Sequence, residues 1–347
     1  MSDEGQRASG SYPYKLSLCI PTYNRSHYLR RCLDIVIPQV QEFAGRIELV
    51  VSDNCSTDDT KAVVDEFAQR YPIKYFKNDK NYGINHNILF IAQSRAQGEF
   101  CWILGDDDRI RDGTIRYLMG VLDSNRDIDF VFMNFMVEII DEKNKQAGFD
   151  GTPVDPKAMR FFGSKDLKEG KKGFEHIIAD DMFSLTAIYS SVFRVSVCQP
   201  AALDFKISDE FSNLNSTLTI TIIFIDTMRG RMGYSSGRPW LVCGTKASWT
   251  RYFFAATMRL ADLYDYEEGK GIPRELVEKQ RKLYLINYSG ILILSYFFNK
   301  VKGLNPPYMD EFRAGRFFRR YLRYPEFLKG VGLFFVSYTG SVIRKKG

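Results

Sequence analysis

The 347-residue chain has little of what builds the simpler kinds of functional centre. It holds only three histidines, His27, His86 and His176, without metal-ligand spacing, which leaves a histidine zinc site unsupported. Its six cysteines, Cys19, Cys32, Cys55, Cys101, Cys198 and Cys243, include no CxxC pair. Several lie inside apolar strand-like runs, so they read as reduced core thiols and not as a disulfide framework. No apolar run reaches the roughly 18 to 20 residues that a membrane-spanning helix needs; the nearest, residues 283–298, is interrupted by Asn287, Ser289 and Ser295. The first ten residues, MSDEGQRASG, contain no apolar core of a secretory signal, and the expected location is the cytoplasm. Both common phosphate cradles, the GxGxxG turn and the P-loop, are missing too.

What is present argues for an ordinary folded protein. Apolar residues make up 45% and charged residues 26%, and 27 Phe with 20 Tyr exclude disorder for most of the chain. The formal charge is +6, but residues 311–347 carry nine basic and two acidic residues, a net of +7, so the other 310 sum to −1. The body has no general affinity for nucleic acid, and the charge belongs to one end.

From Lys15 to about Ile140 short apolar runs alternate with helical patterns, the signature of a parallel sheet with crossover helices. Strands are predicted at Leu16–Pro21, Glu48–Asp53, Ile73–Phe76, Phe100–Leu104 and Phe130–Ile140. Helices are predicted at His27–Phe43, Thr57–Arg70, Asn85–Ala96 and Gly113–Leu122, with Thr57 or Asp58 as a cap for the second. The fold class is a doubly wound α/β domain. Residues 141–173 read as a long irregular loop and a candidate lid. Met182–Arg194 and Arg238–Cys243 then read as strands, Asn213–Met228 as a buried helix, and the region after Arg251 as a helical appendage. The resulting division is a flexible start over 1–14, an α/β domain over 15–250 and a basic-aromatic helical region over 251–347.

Ligands of an open parallel sheet bind beyond the carboxyl ends of its strands. Those ends carry Pro21-Thr22-Tyr23-Asn24-Arg25, then Ser52-Asp53-Asn54-Cys55-Ser56-Thr57-Asp58, then Asn81-Tyr82-Gly83, then Gly105-Asp106-Asp107-Asp108. Three successive carboxylates raise one another's pKa unless a cation intervenes. Mn²⁺ or Mg²⁺, held by one or two carboxylates and by substrate phosphate oxygens, is the natural compensation; the alternative is an acidic loop with Arg109 and Arg111 as partners.

These four motifs, in this order, resemble the family-two glycosyltransferases of the GT-A fold, a Rossmann-like nucleotide-diphospho-sugar transferase fold. Within that family they are similar to the abequosyltransferase-like and other O-antigen or surface-polysaccharide sugar transferases. The resemblance covers about residues 15–125 strongly and reaches loosely to about 250. It implies a nucleotide pocket lined by Pro21, Thr22, Tyr23, Arg25, Asn81, Asp106 and Asp107, with Asp53 accepting a hydrogen bond from a base such as uracil. The D-x-D motif of the family maps onto Asp106 and Asp108 as metal ligands. Here Gly105 stands where many members have the first aspartate of D-x-D-D, which leaves open which two of the three carboxylates hold metal.

Inverting members use a carboxylate as general base, at the start of a helix well beyond the D-x-D motif. Asp209 and Glu210, ahead of Asn213, fit that description, Asp209 being the first choice; Asp180-Asp181 is the competitor, and a helix cap is the bland alternative. His86 reads as structural packing. The segment Gly244-Thr245-Lys246-Ala247-Ser248-Trp249 resembles one that closes over the donor, with Lys246 or Arg251 near the diphosphate.

On a helical wheel Arg313, Arg316, Arg319, Arg320 and Arg323 share one face, while Phe317, Phe318, Tyr321, Leu322 and Tyr324 share the other and Phe312 falls on the basic side. A basic face against an aromatic face is the pattern of a helix lying in a bilayer interface, extended by Val331–Ile343 and Arg344-Lys345-Lys346. The expectation is a metal-dependent transferase moving a sugar from a UDP-type donor to a glycan or lipid-linked acceptor, peripheral on the inner face of the cell membrane through residues 311–347. The alternatives are a nucleotidyltransferase and a noncatalytic scaffold of polysaccharide assembly.

Overall fold

Leu16, Leu18, Cys19 and Ile20 are all fully buried, odd and even positions alike, so this run belongs at the centre of a sheet covered on both faces. The computed structural model describes residues 12–138, 159–160, 167–180, 186–243 and 252–333. In it, β1 (Tyr14–Thr22), β2 (Ile47–Asp53), β3 (Ile73–Lys77) and β4 (Gly98–Ile103) alternate with α1 (Ser26–Gln41), α2 (Thr60–Ala68) and α3 (Ile84–Phe90), the last continued by a π-helical turn at Ile91–Arg95. Next come β5 (Arg109–Ile110), α4 (Thr114–Ser124), β6 (Phe130–Phe132), β7 (Phe135–Glu138), β8 (Met159–Arg160), β9 (Gly170–Gly173) and α5 (Phe174–Asp180). They are followed by β10 (Ser191–Arg194), α6 (Val195–Asp204), α7 (Leu214–Thr217), α8 (Thr219–Met228), β11 (Met232–Ser235) and β12 (Leu241–Cys243). The C-terminal helices are α9 (Phe253–Gly269), α10 (Arg274–Val301) and α11 (Ala314–Tyr321), and residues 325–333 are helical as well.

The main sheet has eight strands in the order β3-β2-β1-β4-β10-β6-β11-β9, and a second sheet has four in the order β5-β12-β7-β8. β1 to β4 pair in parallel, β10 runs antiparallel to both β4 and β6, and β11 returns parallel to β6. The parallel half therefore sends the ends of β1, β2, β3 and β4 to one edge, as the alternating pattern predicts.

Several expectations need correction. The strand predicted at Phe130–Ile140 is two strands in different sheets. Buried Asn134 makes the break: its side chain donates to the Gly237 carbonyl (2.7 Å) and accepts from the Phe135 N–H (2.9 Å), while its own N–H donates to Ser236 Oγ (2.8 Å). Apolar alternation cannot register a polar pivot of this kind. The buried helix predicted at Asn213–Met228 is interrupted at Leu218 (φ −122°, ψ 44°), giving α7 and α8. The expected irregular stretch 141–173 contributes β8 and β9, which edge the two sheets; most of it, like Asp181, residues 244–251 and the tail beyond 333, lies outside the described residues.

The C-terminal helices pack onto the α/β body. Lys279 pairs with Asp180 (2.7 Å), Tyr266 donates to Asp226 (2.8 Å), and Arg259 donates to the Ser212 carbonyl (2.6 Å). The aromatic face expected to enter a lipid interface is turned inward. Phe317 and Tyr321 are buried, Phe312 lies between Phe254 (5.7 Å) and Tyr296 (5.1 Å), and Phe318 meets Phe327 (5.6 Å). Core burial and lipid insertion ask for the same sequence pattern, and here the neighbouring helices α9 and α10 supply the apolar partner. Arg320 is likewise engaged, with Asp265, whereas Arg316, Arg319 and Arg323 are exposed.

Candidate active site

The strand ends converge through side-chain bonds among their own motifs. Asn24, at the end of the β1 turn with φ 53°, donates its N–H to Ser56 Oγ (2.8 Å) and accepts from the Thr57 N–H (2.7 Å). Asn is among the few residues that tolerate this left-handed conformation. Asp58 accepts from the Ser26 N–H (2.8 Å) and the Thr60 N–H (3.2 Å), so one carboxylate serves the first turns of both α1 and α2. The N-cap position of α2 is Asp59, whose side chain makes no capping bond, so the expected cap at Thr57 or Asp58 is displaced by a residue while Asp58 still bonds the first helical N–H.

At the end of β4 the three aspartates have separate surroundings. Thr22 donates to Asp106 Oδ2 (2.8 Å), while Arg25 Nε lies 3.2 Å from Asp106 Oδ1 and Arg25 Nη2 lies 2.6 Å from Asp107 Oδ2. Burial pushes the Asp106 carboxyl up to about 7, against the lowering effect of Arg25. The guanidinium also lies over the Tyr28 ring, 4.4 Å from its centroid. Asp108 is buried and faces the Cys243 thiol, beyond which lies the Tyr189 hydroxyl; burial, with Asp108 adding to it, raises the Cys243 pKa. Arg25, from the first motif, thus supplies a counter-cation to Asp106 and Asp107.

Gly105 has a steric reason. A Cβ there would stand 2.5 Å from Asp108 Oδ2 and 3.2 Å from Asp107 Oδ1. The aspartate found at this place in many relatives of the resembled family has no room once Asp108 folds back over the turn.

Asp53 was expected to face a nucleobase. Its side chain is fully buried, accepting from the Ser56 N–H (2.8 Å) and from the Tyr75 hydroxyl, and in this conformation it braces the β2–α2 turn. Asn54 holds the third motif in place: Nδ2 donates to Asn81 Oδ1 (2.7 Å) and to the Gly83 carbonyl (3.0 Å), and Oδ1 accepts from the Tyr82 N–H (3.1 Å). Asn54 and Tyr75 were not singled out in the sequence, because neither residue type signals a bridging role by itself. Tyr23, 40% exposed, remains open at the rim beside Pro21. His86 packs with Tyr82 and Phe90, as expected of a structural histidine.

Of the carboxylates considered as general base, Glu210 is the one brought to these motifs among the described residues. Its Oε1 accepts from the Asn85 N–H (2.6 Å), and a Cβ on Gly83 would come within 2.2 Å of its Cδ. Gly83 also has φ 93°, a conformation side chains resist. Burial raises the Glu210 pKa and the Asn85 N–H opposes it. Tyr308 donates to the Glu210 carbonyl (2.7 Å), and Phe211, at φ 62°, stacks on Tyr252 at 4.1 Å. Asp209 is exposed. Neither caps the following helix, since Asn213 and Ser216 form that capping box themselves. Asp180 is bound to Lys172 and Lys279 at another edge.

The arrangement suits a hard divalent cation in donor type. Among the described residues no three His, Cys, Asp or Glu side chains come together as a metal cage, but Mn²⁺ and Mg²⁺ in phosphate-binding sites need only one or two carboxylates with substrate oxygens. Asp106, Asp107 and Asp108 are three carboxylates in succession, with Arg25 paired to the first two.

The chain resembles known proteins in sequence and in fold. The chain is 41% identical over 115 residues to the abequosyltransferase RfbV of Salmonella typhimurium, 33% of this chain and 34% of that protein. It is 31% identical over 214 residues to the GalNAc(5)-diNAcBac-PP-undecaprenol beta-1,3-glucosyltransferase of Campylobacter jejuni, 60% of this chain and 59% of that one. The matches thus span about a third and somewhat over half of these curated relatives. The crystal structure of Staphylococcus aureus TarS 1-349 superposes with a TM-score of 0.55 at 16% identity, over 81% of this chain and 74% of that one. The same protein in complex with UDP-GlcNAc gives 0.53 at 14%, over 92% and 80%. At such identities this likeness establishes the GT-A fold alone. The family model for glycosyl transferase family 2 matches residues 17–183, the segment that carries all four motifs, and this part of the chain is a glycosyl transferase family 2 domain.

Proposed function

We propose that the protein is a glycosyltransferase that moves a sugar from a nucleotide-sugar donor to a hydroxyl of a surface-polysaccharide acceptor, carried on a lipid. The observation that carries this reading is the convergence of Thr22, Arg25, Asp106 and Asp107 at the carboxyl ends of β1 and β4, beside the braced loops of Asp53 and Asn81. The names of the relatives, an abequosyltransferase and an undecaprenol-linked glucosyltransferase, support the acceptor class. TarS, solved with UDP-GlcNAc, supports a UDP-type donor.

In this reading Tyr23 and Pro21 line the base and ribose side of the crevice, and Asp106 and Asp108 hold Mn²⁺ or Mg²⁺. The metal would supply charge neutralisation for the diphosphate and its leaving oxygen. Arg25 lies next to the same carboxylates and contributes positive charge toward the diphosphate. Glu210 takes the proton of the acceptor hydroxyl as its oxygen forms the new bond to the anomeric carbon. The old bond from that carbon to the diphosphate breaks, its electron pair leaving with the nucleoside diphosphate, and the anomeric configuration inverts. The base is a carboxylate whose pKa burial has raised, as suits proton transfer near neutrality.

No helix among the described residues is long and apolar enough to cross a membrane. The exposed arginines Arg316, Arg319 and Arg323 form the positive face with which residues 311–347 would meet anionic headgroups at the cytoplasmic surface. The test is product analysis with UDP-sugars, Mn²⁺ and a lipid-linked acceptor. Nucleoside diphosphate release that is lost in Asp106→Asn and Asp108→Asn supports the reading. Release of pyrophosphate, or transfer unaffected by those substitutions and by EDTA, would sink it.

A further inference from the structure

With Phe312, Phe317 and Tyr321 buried, the described tail keeps Leu322, Leu328 and Leu333 exposed, and a further apolar surface lies on α10. At the carboxyl end of α10, Phe297 and Phe298 are 47% and 49% exposed and Val301 is 88% exposed, followed by Leu304 at 52%. The first three fall within an arc of about 100° on the helix, so they form a single patch and not scattered surface residues. From 294 to 309 the only charged residues are Lys300 and Lys302. Their ammonium groups lie over aromatic rings, Lys302 at 4.3 Å from the Phe298 centroid and Lys300 at 5.1 Å from Tyr296, with the lysine stems along the apolar surface. Tyr296, on the other side of the helix from this patch, packs on Phe312 (5.1 Å). The next carboxylates along the chain, Asp310 and Glu311, bond to Asn305 and Arg259.

We propose that this end of α10 docks on an anionic lipid bilayer, with Phe297, Phe298 and Val301 entering the boundary between headgroups and acyl chains and the flanking Lys300 and Lys302 meeting lipid phosphates. Charge selects this occupant over a second copy of the chain: with no carboxylate between residues 294 and 309, a two-fold contact would set Lys300 and Lys302 against themselves, whereas an anionic leaflet attracts them. The proposal rests on the functional reading only for its purpose, since a lipid-linked acceptor is presented at such a surface. It places the apolar contact on α10, outside residues 311–347.

The test is co-sedimentation of the full chain with phosphatidylcholine vesicles, with and without phosphatidylglycerol. Wild type should sediment only with the anionic vesicles, and Phe297→Ser/Phe298→Ser/Val301→Ser should lower the bound fraction by about tenfold or more, given the apolar area removed. These side chains are exposed, so the thermal midpoint and the thermal shift caused by UDP-GlcNAc with Mn²⁺ should equal those of wild type. Loss of sedimentation with an intact thermal shift supports this surface. Sedimentation equal to wild type in the triple variant overturns it, even if Arg316→Ser/Arg319→Ser/Arg323→Ser shows that the arginine face binds. A wild type that ignores anionic vesicles, yet elutes as a dimer where the variant elutes as a monomer, overturns it in favour of a contact between copies. Absence of any donor response alongside patch-dependent sedimentation would count against the functional reading alone.

Discussion

Arg25 lies 3.2 Å from Asp106 and 2.6 Å from Asp107, so a guanidinium from the β1 turn is the counter-charge of the carboxylates that follow β4. The pair is largely buried, with 17% of the Arg25 side chain exposed. Removing one partner of such a pair leaves the other charge poorly compensated. Arg25→Gln should therefore destabilise the metal-free protein by about 2 kcal/mol, seen as a lower thermal midpoint. Added Mn²⁺ should raise the midpoint of the variant more than that of wild type, because the cation takes over the neutralisation. An equal Mn²⁺ response in the two proteins would show that Arg25 and metal do not share these carboxylates.

Gly105 sits where any side chain meets the Asp108 carboxylate at 2.5 Å. Gly105→Ala should push Asp108 off its position and weaken Mn²⁺-dependent donor binding by about tenfold or more, at a cost in stability of only about 1 kcal/mol. Calorimetric titration of donor with and without Mn²⁺ measures this. Unchanged binding would mean that Asp108 takes no part in holding the cation.

Glu210, and not its exposed neighbour Asp209, reaches the third motif through Asn85. Glu210→Gln should lower kcat by about 100-fold or more with little change in donor KM, the range for loss of a general base. Asp209→Asn should stay within a few-fold of wild type. The reverse outcome would return the role to Asp209.

Glu267 in α9 is fully buried; burial pushes its pKa up to about 8, although Gln280 donates to its Oε2 (3.0 Å). The folded protein thus holds a proton that the unfolded chain releases near its ordinary value of 4.5. Stability from this group is complete below that value and is lost as pH rises through about 8. Glu267→Gln, which cannot ionise, should flatten that slope and gain roughly 4 kcal/mol relative to wild type at pH 8 against pH 4. Thermal or urea unfolding across that range reads the effect, and parallel pH profiles would refute it.

Much of the site was legible because its information is local. Strands β1 to β4 are apolar runs, and the motif residues follow them directly in the chain, so the sheet delivers Thr22, Asp53, Asn81 and Asp106 to one edge by geometry alone. What was not legible involves partners far apart in sequence. Nothing in the spacing of Arg25 says that it pairs with Asp106 and Asp107, and nothing in Gly105 announces the Asp108 carboxylate folded over it. Asn134 and Leu218 divide elements whose apolar patterns run on without a break.

The sequence by itself determined the α/β class, the strand-end motifs and a basic face at one end of the chain, because periodicity and residue chemistry are properties of neighbouring positions. Only the tertiary structure decided what each apolar or charged face meets. Amphipathicity states that Phe317 and Tyr321 must leave water but not what they enter, and α9 and α10 bury them while Phe297, Phe298 and Val301 stay exposed. The charge at one end is legible in the sequence, but which apolar residues stay at the surface is not, because burial is settled by which surfaces the fold brings together.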